Sequence, residues 1–271
     1  MALIYKNDYR DYFLSHGWRT YLSFKPLRPV DGTLSFVDER QVSRDKTTDY
    51  SLFSGEKEYR LNPLIADGNL RALRLDLRIG DAPEPMDFAT SNALAISIEH
   101  SSPSIASSDF DYTRYSGALT YYLPTFAQSL MFSPVLRMRL SAGTSSGTLP
   151  PQRMFIPDSR ASGYAPFGVL KAGILKEFAG DRFVMFNLEH NFRSLPFLAL
   201  DIPFLYRNGI DLVAFGSAAQ TWYGNQTTSD GWYYEAGLGL SRILQLLRFD
   251  VSYRFKEPQR FYFSLSFAHL L

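Results

Sequence analysis

Apolar and polar residues alternate with a period of two along most of this chain. Near the C-terminus, Phe261, Phe263, Leu265 and Phe267 alternate with Tyr262, Ser264, Ser266 and Ala268. Just before them, Leu247, Phe249, Val251, Tyr253 and Phe255 alternate with Arg248, Asp250, Ser252 and Arg254. The same order runs through Trp232 to Ser241, Leu73 to Ile79, Leu94 to Glu99, Leu136 to Ala142 and Trp18 to Lys25, and more weakly near 33–42, 112–123, 182–192 and 209–222. Successive strand side chains point to opposite faces, so each segment predicts a strand with one apolar and one polar face. About eleven strands result. No amphipathic helix is predicted, because Gly, Ser and Thr interrupt most segments and β-branched or aromatic residues dominate the rest.

Strand length and spacing narrow the fold class to all-β, a transmembrane antiparallel β-barrel with about 11–12 strands. Segments run about ten residues, long enough to cross a bilayer at a tilt, whereas soluble strands average nearer six. Short links near 26–32 and 243–246 exchange with long polar ones at 42–69, 102–111, 144–181 and 223–230. Outer-membrane barrels have this asymmetry between their two ends. Aromatics gather at strand ends, as at Tyr121 and Tyr122, Trp222 and Tyr223, and Trp232 to Tyr234, in the manner of an interfacial girdle. If Phe249, Val251 and Tyr253 face lipid, then Arg248, Asp250 and Arg254 face a wet lumen. A slip of one residue would place arginines in hydrocarbon at roughly 2–4 kcal/mol each near the midplane. A soluble sandwich or a lipocalin-like barrel with an apolar ligand would also alternate, with its apolar face turned inward.

Composition removes whole classes of function. Of 271 residues, 45% are apolar and 15% aromatic, which is ample for a core. The mean hydropathy is nevertheless −0.16, so apolar and polar residues are mixed at short range. Lys and Arg total 28 against 27 Asp and Glu, a net charge of +1, which argues against nucleic acid as a partner. The chain has no Cys, which excludes disulfides, Cys-ligated zinc and thiol nucleophiles. Its four His are scattered, so no metal site is predicted. The start MALIYKNDYR does not read as a signal peptide, and no apolar run is long enough for a transmembrane helix. The longest, Phe197 to Tyr206, contains Asp201 and Pro203.

Catalytic signatures are missing: there is no G-x-S-x-G, H-E-x-x-H, Walker or EF-hand pattern, and no cofactor is predicted. His100 and His190 each follow a Glu, but adjacent strand residues point to opposite faces, which opposes a dyad. Gly237 and Gly239 in a strand read as relief of crowding or of curvature, not as a phosphate cradle. Asn225-Gln226-Thr227, Asp38-Glu39-Arg40 and Glu56-Lys57-Glu58 read as loop or strand-end positions. No enzyme is expected, and no catalytic, cofactor-binding or metal-binding residue is assigned.

The last ninety or so residues resemble the C-terminal strands of the outer-membrane assembly factor and bacterial surface-antigen superfamily, which includes BamA and TamA. The resemblance rests on parts that follow in order. Phe186 to Phe192 carries a Leu-Glu pattern after a long loop. Leu212 to Trp222 follows, then a Gly-x-Gly strand within Ala236 to Leu240, a Leu-Arg-x-Asp strand at Leu247 to Asp250, and a closing aromatic strand at Phe261 to Ser266. Upstream, Tyr9 to Trp18, Thr47 to Phe53 and Tyr59 to Pro63 look like Bacteroidetes members of this type. The resemblance implies a loop-lock in which an Arg of an Arg-Gly-Phe/Tyr motif reaches into the lumen. Here the matching residues are Arg160, Gly163 and Tyr164, with two residues between Arg and Gly. The family's Asp aligns with Ser217. Either Glu189 or another lumenal acid then receives Arg160, or the lock is absent, because a buried unpaired Arg is costly.

The resemblance also implies that residues 1–271 form a single outer-membrane barrel domain, N-terminally truncated from a barrel of about 16 strands. Its missing N-terminal strands and periplasmic domains would then be partners. The alternative is that residues 2–12 add one strand and the chain closes alone. By resemblance the protein helps insert or export other proteins at the outer membrane of a Gram-negative bacterium, without catalysis. Its partners would be outer-membrane lipid and nascent barrels or exported cargo. The closing strand, with Phe261, Phe263, Leu265 and Phe267, would be the seam at which an incoming strand pairs. The competing class is a passive channel, with Arg74, Arg78, Arg137 and Arg139 favouring anions.

Overall fold

A computed structural model describes residues 11–46, 50–53, 58–80, 92–126, 133–160 and 164–267. Gly163, residues 2–10 of the possible extra strand, Thr47, Glu56, Lys57 and the terminal residues 268–271 lie outside the described residues.

The chain is all-β. Its strands are β1 (Phe13–Leu27), β2 (Val30–Ser43), β3 (Gly68–Gly80), β4 (Ala93–Ser101), β5 (Tyr112–Pro124), β6 (Val135–Gly147), β7 (Arg182–Asn191), β8 (Asp211–Tyr223), the two-residue β9 (Gln226–Thr227), β10 (Tyr233–Ile243), β11 (Leu247–Arg254) and β12 (Arg260–Phe267). They form one sheet in sequence order from β1 to β12, with β9 set aside as a short partner of β8. Each pairing whose register is resolved is antiparallel. Eleven long strands match the alternation of the sequence. The only described α-helices are α1 (Leu195–Ala199) and α2 (Pro203–Arg207), one turn each, within the run Phe197 to Tyr206.

The long connections fall at 44–67, 102–111, 148–181 and 224–232. At the other ends of the strands the links 28–29 and 244–246 are short, but 81–92 and 192–210 are not. The simple short–long exchange is therefore broken, most clearly where 192–210 folds into two helical turns.

Backbone contacts divide the chain into two units, each described by itself. In the unit that holds 117–142 and 156–271, the burial of alternate positions decides the orientation of the sheet. Asp250 is 0% exposed and Arg254 1%, while Leu238 is 56% and Phe263 60%. Along β12, Tyr262, Ser264 and Ser266 are buried and Phe261, Phe263, Leu265 and Phe267 exposed. In the unit that holds 11–77, 96–116 and 143–155, Ser35, Gln41, Glu99 and Ser101 are buried while Leu34, Leu73 and Tyr115 are exposed. Such an arrangement is the reverse of a water-soluble sandwich, whose covered face is apolar. β1 differs, since almost all of its positions are exposed on both faces.

Candidate functional site

The covered polar face carries a charged row that the strand register assembles. Glu189 on β7 lies opposite Phe215 on β8, Glu235 on β10 lies between Ser217 and Arg254, and Gly239 lies opposite Asp250 on β11. These polar residues have the same parity in their strands, so they share one face. Arg248 reaches Glu189 at 2.8 Å and Asp250 at 2.8 Å. Arg137, from β6, stands 3.5 Å from Glu189, donates to the Tyr122 hydroxyl at 2.8 Å and lies over the Phe167 ring at 4.1 Å. Far from lining water, Arg248 and Asp250 are buried against each other and against a loop, and Arg254 is buried against Glu177 of that loop and the Tyr233 ring.

That loop is the connection 148–181. Its segment Gly168-Val169-Leu170-Lys171-Ala172-Gly173 is apolar apart from one lysine. Leu170 is fully buried and packs with Met185, Ala219 and Tyr233. Packing of Leu170 carries Lys171 into the charged row, where Nζ donates to Asp250 Oδ2 at 2.9 Å and to the carbonyl of Ala165 at 2.8 Å, 5.1 Å from the Phe215 ring centre. Glu235 holds the same turn from below: it accepts the backbone N–H groups of Lys171 and Ala172, each at 2.7 Å, and the Tyr233 hydroxyl at 2.7 Å. Arg137, Lys171 and Arg248 thus meet Glu189 and Asp250, while Glu235 is satisfied by backbone N–H groups and a tyrosine hydroxyl. Burial, and Arg248 beside it, draw the Lys171 ammonium below its ordinary range, while Asp250 and Glu189 act the other way. Further along, Glu177 takes a two-pronged contact from Arg254 at 2.8 and 2.6 Å.

Gly237 and Gly239 make room for this row. A Cβ at 237 would stand 2.5 Å from the Phe215 ring, and one at 239 would fall on the Asp250 carboxylate. Relief of crowding is therefore their role.

The residues singled out from sequence are placed as follows. Arg160 lies with its guanidinium 4.2 Å from the centre of the Tyr262 ring. Tyr164 makes an isolated parallel bridge to Leu265 of β12 and packs its ring on Phe267. Glu189 receives Arg137 and Arg248, and Ser217 receives the Asn187 amide at 3.0 Å. Arg160 and Glu189 are therefore not brought together. Lys171, Glu235, Asp250 and the Glu177–Arg254 pair were missed as loop anchors. The signal for Lys171 was an apolar run inside an otherwise polar loop.

The first part of the same connection is held separately, in the other unit. Gln152 donates to Gln41 at 3.1 Å and to the Ala66 carbonyl at 3.0 Å, and accepts the Ala66 N–H at 3.1 Å. Phe155 is buried beneath the Arg114 guanidinium at 4.1 Å, and Arg153 stands 3.4 Å from Glu99. Glu99 and His100 face opposite ways; Glu99 accepts Tyr112 Oη and His100 meets Thr113. Among the described residues, no group of three or more His, Asp or Glu is placed to hold a metal ion.

The whole sheet has a counterpart among solved structures. It is similar to the crystal structure of BamA from Haemophilus ducreyi lacking POTRA domains 1–3. The likeness has a TM-score of 0.59 at 13% sequence identity and covers 94% of this chain. The chain spans about half of that structure, 54% of its length. At this identity the likeness shows the fold, a BamA-like antiparallel sheet. No protein-family model matches the chain, and no curated protein matches it.

Proposed function

We propose that the chain is an outer-membrane β-barrel region of the assembly or translocation type, acting without catalysis in a Gram-negative bacterium. The observation that carries this reading is the inverted face pattern, with charged residues buried under a loop and Phe and Leu side chains turned outward. Outward apolar rows suit acyl chains and oppose a water-soluble ligand carrier. The fold likeness to BamA supports the assembly class. Three features of β12 support a pairing role. Among the described residues the strand order ends there, its outward row is Phe261, Phe263, Leu265 and Phe267, and Tyr164 meets it by an isolated bridge to Leu265 and a ring contact with Phe267 rather than by a ladder. An edge strand of this kind offers unpaired backbone groups to an incoming strand.

The test is site-specific crosslinking from Phe263→Cys, in vesicles containing the protein, to the strands of a nascent outer-membrane barrel. Adducts confined to outward positions of β12 are expected. Steady ion conductance without adducts would instead favour a passive channel. The buried pairing of Arg137 with Glu189, Tyr122 and Phe167 opposes the channel, because that guanidinium is already engaged.

A further inference from the structure

The connection 192–210 folds more than a link between neighbouring antiparallel strands needs. Pro196 and Pro203 open α1 and α2, and Asp201, at φ 49°, separates them. One side of this segment is anchored: Phe197 and Ile210 are buried. The other is open, with Leu200 70% and Phe204 72% exposed and Leu198 and Ile202 also in the open. The turn between β10 and β11 lies beside it, since Gln245 Nε2 donates to the Asn208 carbonyl at 3.4 Å. That turn adds Leu244, 82% exposed, and Leu246.

The two links therefore present one apolar cluster at one end of the strands. It adjoins the outward row of the strands, because exposed Leu246 runs straight into Leu247 of β11, which pairs with Phe267, and Phe249 two residues on stacks on Phe263. Arg207, exposed in the last turn of α2, supplies a cation beside the cluster. Aliphatic and Phe tips with an arginine at their margin match the boundary between headgroups and acyl chains.

We infer that 195–207 together with 244–246 is an interfacial anchor, which seats this end of the sheet in the headgroup layer of a lipid bilayer. The inference rests on the membrane reading above and adds a second contact to it, outside the strands. A bound protein partner is the competing occupant. Lipid is favoured because the cluster adjoins the outward strand row through Leu246 and Leu247.

The absence of Cys from the chain allows a direct test. Single-cysteine variants Phe204→Cys, Leu244→Cys and Leu238→Cys of the full chain are labelled with an environment-sensitive dye and reconstituted in vesicles. Lipids carrying quenchers near the headgroup or near the bilayer centre are then compared. Labels at 204 and 244 are expected to be quenched more by the shallow quencher, and the label at 238 more by the deep one. Water-like emission without quenching at 204 and 244, with 238 still quenched, overturns the anchor and leaves the cluster to a protein partner. Loss of quenching at all three positions overturns the membrane reading together with it.

Discussion

Replacing Lys171 by Met removes the ammonium while keeping much of the stem volume. The lost contacts are a charge-assisted bond to Asp250 at 2.9 Å and a bond to the Ala165 carbonyl at 2.8 Å, both made by a side chain only 4% exposed. Breaking a buried pair by removing one partner costs about 3–5 kcal/mol, because the remaining charge stays desolvated. Asp250 keeps Arg248 at 2.8 Å, which lowers the cost, and about 3 kcal/mol is a reasonable centre. The cost falls on the loop rather than on the strands, whose ladders do not involve Lys171. An opening equilibrium shifted by about 3 kcal/mol corresponds to roughly a 100-fold larger open population. Protease cleavage within 148–181 follows that population when opening is fast relative to cutting. Cleavage of the Lys171→Met protein in vesicles should therefore be accelerated by about two orders of magnitude, with strand content by circular dichroism unchanged. Equal cleavage rates in the parent and variant would refute the assignment of Lys171 as the loop anchor.

Three further outcomes follow from the same geometry. Arg160→Ala removes a cation–π contact on Tyr262 worth about 0.5–2 kcal/mol, so it should accelerate cleavage in the same assay clearly less than Lys171→Met. Gly237→Ala forces a methyl against Phe215 and the Val251 carbonyl and should lower stability by about 1–3 kcal/mol, read from the urea midpoint. Gln152→Ala leaves Gln41 and the Ala66 amide without their partner, at about 1–3 kcal/mol, and should expose the 149–155 segment to protease while the Lys171 anchor holds.

The strands were legible because a period of two survives tertiary context when each face meets a different medium. Positions such as 247–254 and 260–267 could hardly be read otherwise. Loop contacts were not legible, since they depend on which lysine or glutamate of a long connection meets which strand. Nothing in the local pattern of Glu189 distinguishes Arg137 and Arg248 from Arg160 as its partners. A family-like motif pointed to Arg160, but the burial of Leu170 decides which cation enters. The short–long exchange of links misled in part, because it treats 192–210 as a turn when its apolar residues fold into helical turns of their own.

Orientation of the sheet is tested most directly by single cysteines at outward and inward positions of neighbouring strands, challenged with a thiol reagent confined to the bilayer. Reaction is predicted at Leu240, Val251 and Phe263 and absent at Ser241, Ser252 and Ser264. Equal reaction at both sets, or reaction at the serine positions alone, would contradict a sheet whose aromatic and aliphatic rows lie against lipid.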